Sequence, residues 1–290
     1  MKNDLTQFWF SFDSMHTSKS VTRALRALAI AALALILFES CTTVPVTGRH
    51  ELNVVSSGDE MQLGLTSFDQ LKKDTPISHD PALNAMVQRV GKRIAEVASK
   101  DLPSAQWEFV VFDSKEANAF CLPGGKVGVY TGILPITKDD AGLATVLGHE
   151  VGHAVAHHGA SRMSTTLVSQ GVGQLAGSMV GSSKYAQYQD TFMSLYGVGS
   201  KVAVELPYSR EQESEADHIG IIYMARAGYE PKEAVAFWQR FATYNQPLGG
   251  GGSSFFSKFL RTHPVDTVRI ADLQKLLPEA QAEFAKSKGR

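Results

Sequence analysis

Residues 147–158 read LGHEVGHAVAHH, four histidines and one glutamate in a run otherwise built of Leu, Val, Ala and Gly. No other stretch constrains the fold as much. On a helix, positions i and i+4 share a face, so His149 and His153 can aim both imidazoles at one metal ion. Glu150 lies one residue along, within reach of a water at that ion but not placed as a ligand. Apolar Leu147, Val151 and Val155 flank the pattern, as a buried metal-site helix requires. A catalytic zinc needs a third protein ligand and an open position. The fold must therefore bring a second segment onto this helix.

A third histidine six residues beyond His153 would supply that ligand, but position 159 is Gly. The alternative is a carboxylate from another helix, and Ser209–Asp217 (SREQESEAD) is the candidate. Glu213 and Asp217 stand i, i+4 on one face, so Glu213 can ligate while Asp217 holds the second nitrogen of a ligand histidine and fixes its tautomer. Glu211 and Glu215 point away from that face and read as solvated surface. His157 continues the i+4 row a turn further on, too far from the metal. His158 points off the face, and His218 reads as a surface residue or a supporter of the ligands.

Along the chain, Asp59–Leu71 reads as a short helix. Asp80-Pro81 opens an amphipathic helix over 81–99. WEFVVF (107–112) and KVGVY (126–130) read as strands, the second after the turn Pro123-Gly124-Gly125. Asp139 or Asp140 caps the helix that runs through the histidine motif to about His157. Residues 161–200, rich in Gly, Ser and Met, suggest a loose helical hairpin. Ser209 and Gln212 form a capping-box pattern for a helix over 210–227, closed by Gly228. Pro231 opens a helix to Tyr244, residues 247–254 form a Gly-rich loop, and Pro264 opens a last core helix ending near Leu277. The class is mainly α with a small β-sheet, α+β.

The N-terminus reads differently. Ala27–Phe38 is an unbroken apolar run, too short to span a bilayer comfortably, with Lys19, Arg23 and Arg26 before it. Asp4 and Asp13 are unusual for the leading segment of a signal peptide, which makes Met15 a candidate start. Ser40-Cys41 follows the run as in a bacterial lipoprotein signal, with Cys41 the lipidated first residue and Thr42 favouring the outer membrane. An ordinary signal peptide or an uncleaved anchor is the rival. Cys121, the second of only 2 cysteines, sits in the apolar context AFCLPGG and reads as a buried small hydrophobe. The formal net charge is −1, with no basic domain or stripe, which excludes a nucleic-acid-binding reading.

HEVGH followed by ESEAD resembles the HtpX and CAAX-prenyl-protease family of zinc metalloendopeptidases. The resemblance continues through NAFCLPGGKVGVYTGIL, YSREQESEAD and THP, and PVTGR and LNVVS after Cys41 are similar to its periplasmic lipoprotein (YggG/LoiP-type) branch. It implies a zincin-like domain with an HExxH helix and an ExxxD helix, the gluzincin arrangement, holding one Zn²⁺ per chain. It implies further that Asn118–Tyr130, through Asn118, Gly128 and Val129, forms an edge strand that binds peptide by strand addition, although the residues alone equally allow a core strand. His263 is implied to lie near the zinc, donating to the oxyanion or serving as a removable fourth ligand. Read alone, a histidine before Pro264 would be a helix-cap residue.

The expected organisation is a lipoprotein signal peptide over 1–40, a lipid-anchored tether with a short helix over 41–78, and a zinc metallopeptidase domain over 79–290. The implied activity is hydrolysis of peptide bonds in misfolded or misassembled envelope proteins, facing the periplasm. The rival is a chaperone-like envelope assembly factor with a normally closed zinc site. A purely structural zinc is a weaker third reading and predicts four permanent protein ligands.

Overall fold

The order of elements is β1 (Cys41–Thr43), β2 (His50–Leu52), α1 (Ser57–Asp74), α2 (Pro81–Ala98), β3 (Glu108–Phe112), β4 (Ala119–Leu122), β5 (Lys126–Tyr130), α3 (Leu134–Thr137), α4 (Asp140–Val155), α5 (His158–Ser169), α6 (Gln189–Leu195), α7 (Arg210–Arg226), α8 (Lys232–Tyr244) and α9 (Thr267–Ser287). They come from a computed structural model that describes residues 41–53, 55–169, 189–196, 198, 208–244, 259, 262–264 and 267–289. The chain divides into Met1–Thr42 and Thr43–Arg290, and the second unit carries everything below. The expected leader over 1–40, much of the hairpin over 161–200 and the loop over 247–254 lie outside the described residues. The class is the expected one, mostly helical with a three-stranded sheet.

Helix starts follow local chemistry. The Asp80 carboxylate accepts from the N–H groups of Ala82 and Leu83, with Pro81 at the first helical position. Asp139 accepts from Ala141 and Gly142 at the head of α4. Ser209 and Gln212 form a complete capping box at the head of α7. The last helix departs from expectation. It runs through Pro278 to Ser287 instead of ending near Leu277. A proline inside a helix costs about 3 kcal/mol, but Ala280 and Phe284 beyond it are buried, and their burial offsets that cost.

The sheet order is β3-β5-β4, with β3 parallel and β4 antiparallel to β5. This corrects the expectation for Gly128 and Val129. Gly128 faces Val110 on one side and Phe120 on the other, so β5 is the central strand. The Pro123-Gly124-Gly125 turn folds β5 back on β4, and β3 then closes its second edge. The edge against the metal-motif helix is β4, which starts just after buried Asn118.

Helix α4 is the centre of the molecule, buried at every residue from Gly142 to Val155. It packs on α2, β4, α8 and, most extensively, α7. The crossing with α7 is at backbone distance. A Cβ on Gly148 would lie 2.7 Å from the Gly220 carbonyl oxygen, one on Gly152 2.8 Å from that of Ala216, and one on Gly220 2.7 Å from the His149 nitrogen. No side chain separates the two helices there. Gly220→Ala should therefore force them apart, and over-packing costs about 1–3 kcal/mol, outweighing a helix-propensity gain of up to about 1 kcal/mol. A thermal midpoint lowered by several degrees, about 2–4 °C per kcal/mol, is expected. An unchanged or raised midpoint would show that the crossing is not tight.

Candidate metal centre

The α4–α7 crossing sets the residues of the motif against those of the second segment. His149 and His153 bring their Nε2 atoms to 3.1 Å of each other. From α7, Glu213 Oε1 stands 3.3 Å from His153 Nε2, and Oε2 stands 3.6 Å from His149 Nε2. His263 arrives from the segment before α9, its Nδ1 3.2 Å from His149 Nε2 and 2.9 Å from Glu213 Oε1. One ligand atom from each of these four buried residues lies within 4.8 Å of all the others. Glu150 is 4% exposed, its Oε1 3.5 Å from His263 Nε2 and without a hydrogen bond.

The surroundings fix how these groups face. Asp217 Oδ1 stands 2.9 Å from His149 Nδ1. A carboxylate only accepts, so that nitrogen carries the proton and Nε2 turns a bare lone pair to the cluster. Arg269, from α9, grips Asp217 with Nε at 2.7 Å and Nη2 at 2.8 Å, and puts Nη1 2.6 Å from Glu213 Oε2. Its guanidinium lies 3.6 Å above the Trp238 ring. Burial alone would raise the Glu213 and Asp217 acids. The charges of His263 and Arg269 at Glu213, and of Arg269 at Asp217, outweigh it and hold both below the usual carboxylate range. Glu150 goes the other way. Burial pushes its carboxyl up to about 7, against the pull of His263 and with the Glu213 charge adding to the rise.

Sequence reasoning missed Arg269 and Tyr208. Nothing in TVRIADLQ marks a buried arginine. Tyr208 stacks on the His153 ring at 3.9 Å between centroids, and its only signal was its place in YSREQESEAD. Two expectations need correction. Glu215 is not solvated. It is buried, and accepts from Thr47 Oγ1 at 2.5 Å and Arg49 Nε at 2.7 Å. Burial works against its ionised form, but hydrogen bonds with His158, Thr47 and Arg49 bring its acid down to about 2. Nor does His158 point off the ligand face. It is fully buried against His153, with Nδ1 2.8 Å from His153 Nδ1 and Nε2 2.9 Å from Glu215 Oε2. His157 stays out of the cluster and meets Glu60 at 2.9 Å. His218 pairs with Glu279 at 3.1 Å, and Glu211 is exposed. Cys121 is buried, and burial holds its thiol above the usual range.

The donor set fits a small divalent cation. Two donors on a tetrahedral ion with bonds of about 2.0–2.1 Å stand roughly 3.3 Å apart, and the contacts among these atoms cluster about that length. Facing imidazole lone pairs repel unless a cation lies between them. Glu150, Glu213 and Asp217 also outnumber the one guanidinium, Arg269, that is buried among them.

A buried HExxH helix crossed by a helix that offers a carboxylate defines a class, the metallopeptidases with a histidine–glutamate metal centre. Comparison with known proteins gives the family. Residues 81–277 match the model of peptidase family M48, and the chain belongs to that family. It is 31% identical over 300 residues to the mitochondrial metalloendopeptidase OMA1 of Saccharomyces cerevisiae, covering 96% of this chain and 80% of the relative. The OMA1 of Schizosaccharomyces pombe is 32% identical, with 83% of this chain and 67% of the relative covered. The beta-barrel assembly-enhancing protease of Escherichia coli K12 is 26% identical over 93% of this chain and 56% of its own length. The chain is a metalloendopeptidase.

Arg269 carries the electrostatic burden of the centre. Arg269→Met would leave Glu213 and Asp217 buried without their shared cation, and removing one partner of a buried ion pair costs about 3–5 kcal/mol. Urea denaturation of metal-depleted protein should show a loss of that order. A loss below about 1 kcal/mol would contradict the assignment.

Proposed function

We propose that the chain is a zinc endopeptidase of the bacterial envelope, lipid-anchored at Cys41, that cleaves misfolded or misassembled proteins. The observation that carries the chemistry is Glu150, a buried carboxyl whose Oε1 has no hydrogen bond, beside a converging set of His149, His153 and Glu213. These three residues would hold the zinc. Such an ion polarises a substrate carbonyl and lowers the pKa of a water to about 7. Glu150 takes the proton of the attacking water and passes it to the leaving nitrogen. Asp217 keeps His149 in its ligating tautomer. Strand β4, the sheet edge against α4, offers its backbone for strand addition by an unfolded substrate, with Asn118 at its start.

A second reading draws on His263. Its Nδ1 sits among the candidate ligand atoms. In that position it would serve as a fourth ligand and close the site, as a chaperone-like assembly factor with rare proteolysis would require. When His263 swings away it is free to donate to the oxyanion. The envelope reading draws on the apolar run Ala27–Phe38 before Cys41 and on the Escherichia coli relative named for β-barrel assembly. The yeast relatives are mitochondrial by name, so the family serves more than one compartment. On this reading residues 1–40 are removed, 41–78 link the anchor to the enzyme, and 79–290 form the catalytic domain.

Glu150→Gln should keep its metal and its fold and lose cleavage of unfolded casein by at least about 10²–10⁴-fold, the usual worth of a general base. Wild-type cleavage by metal-loaded Glu150→Gln protein would rule the mechanism out. A fatty-acid probe should label the wild type and not Cys41→Ser. Equal labelling of both would remove the lipid from Cys41.

A further inference from the structure

Helix α4 ends at Val155, and His157 takes a positive φ of 49° before α5 begins at His158. In an unbroken helix residue 158 would lie about 140° round from residue 153. The turn through the left-handed region at His157 cancels that rotation and sends the His158 ring back onto His153, with centroids 5.0 Å apart. The two Nδ1 atoms meet at 2.8 Å, a distance that holds one shared proton, neither none nor two. Which ring owns it is decided on the far side of His158. There Nε2 stands 2.9 Å from Glu215 Oε2, and a carboxylate can only accept, so His158 carries a proton on Nε2. For His153 to bind metal through a bare Nε2, its own proton must sit on Nδ1, and His158, with its proton on Nε2, accepts it at Nδ1.

We infer that His158 and Glu215 form a positioning relay that holds His153 in its metal-binding tautomer, and that the N-terminal segment around Thr47 and Arg49 holds the relay in place. The inference rests on the reading of His149, His153 and Glu213 as metal ligands. The two histidines of the motif then have separate supports from one helix, Asp217 acting directly on His149 and Glu215 acting on His153 through His158. Thr47 and Arg49 each donate a hydrogen bond to the Glu215 carboxylate. The segment 41–78 is therefore more than a passive link. Its first turn, between the proposed anchor and α1, reaches the metal centre through three residues.

The test uses the full chain with zinc as the probe. Zinc affinity by chelator competition and the thermal midpoint of metal-depleted protein are measured for wild type, His158→Phe, Glu215→Gln and Glu213→Gln, with His218→Phe as a control for a histidine–glutamate pair away from the centre. His158→Phe should lower zinc affinity about 10–100-fold, the usual effect of losing a group that orients a ligand. Glu215→Gln, which still offers an acceptor and guards against a misfolded His158 variant, should lower it less. His218→Phe should leave it unchanged. In long-range ¹H–¹⁵N spectra of the zinc-loaded wild type, the His153 proton should sit on Nδ1 and the His158 proton on Nε2. A His158→Phe protein that loses thermal stability but binds zinc as tightly as wild type has lost packing alone, which overturns the relay. So does a His158 protonated on Nδ1. Unchanged zinc affinity in Glu213→Gln overturns the ligand set, and the relay with it. Lost affinity in Glu213→Gln beside full affinity in His158→Phe and Glu215→Gln overturns the relay alone.

Discussion

Everything at the metal centre depends on two helices touching at their backbones. Gly148 and Gly152 on α4 face Gly220 and Ala216 on α7 with no side chain between them. That approach decides which side chains can meet. Glutamate reaches only a few ångströms, so Glu213 arrives at His149 and His153 because its helix is pressed against theirs. The same contact sets Asp217 one turn further along against the outer nitrogen of His149. A fold with bulkier residues at the crossing could carry the same motif and still leave its histidines without a third ligand.

The crossing has an electrostatic cost, because it buries three carboxylates in one place. Charged groups taken out of water are expensive unless each finds a partner. Arg269 meets this for Glu213 and Asp217 together, and Trp238 covers its face. Glu150 receives no such guanidinium contact, and burial lifts its acid toward neutrality. One guanidinium thus sorts the carboxylates into two kinds. Glu213 and Asp217 are held ionised, and Glu150 is the one whose acid rises.

Much of the centre was legible because its signals are local. The i, i+4 spacings of His149 with His153 and of Glu213 with Asp217, the Asp80-Pro81 start and the Ser209–Gln212 box are all set within one turn of helix. What was not legible depends on partners distant in sequence or on a break in periodicity. His158 read as a bystander because face assignments assume an unbroken helix, and α4 breaks at His157. Glu215 read as solvated because the groups that cover it, Thr47, Arg49 and His158, lie far from it in sequence. Arg269 and Tyr208 are buried by elements that no nearby residue announces. The peptide-binding edge was assigned across the whole of Asn118–Tyr130, although strand pairing gives the edge to β4 and the centre to β5. The last helix outran Pro278 because burial of Ala280 and Phe284, invisible in local propensity, outweighs one lost hydrogen bond.

On the proposed function one metal ion is held by imidazoles from α4 and a carboxylate from α7, and His263 closes the site. X-ray absorption at the zinc edge of the reconstituted protein tests it most directly. One zinc per chain is expected, in a shell of nitrogen and oxygen donors only, at about 2.0–2.1 Å. Outer-shell scattering should come from three imidazoles in the wild type and from two in His263→Ala. A sulfur donor near about 2.3 Å, or an imidazole count that His263→Ala does not change, would contradict it.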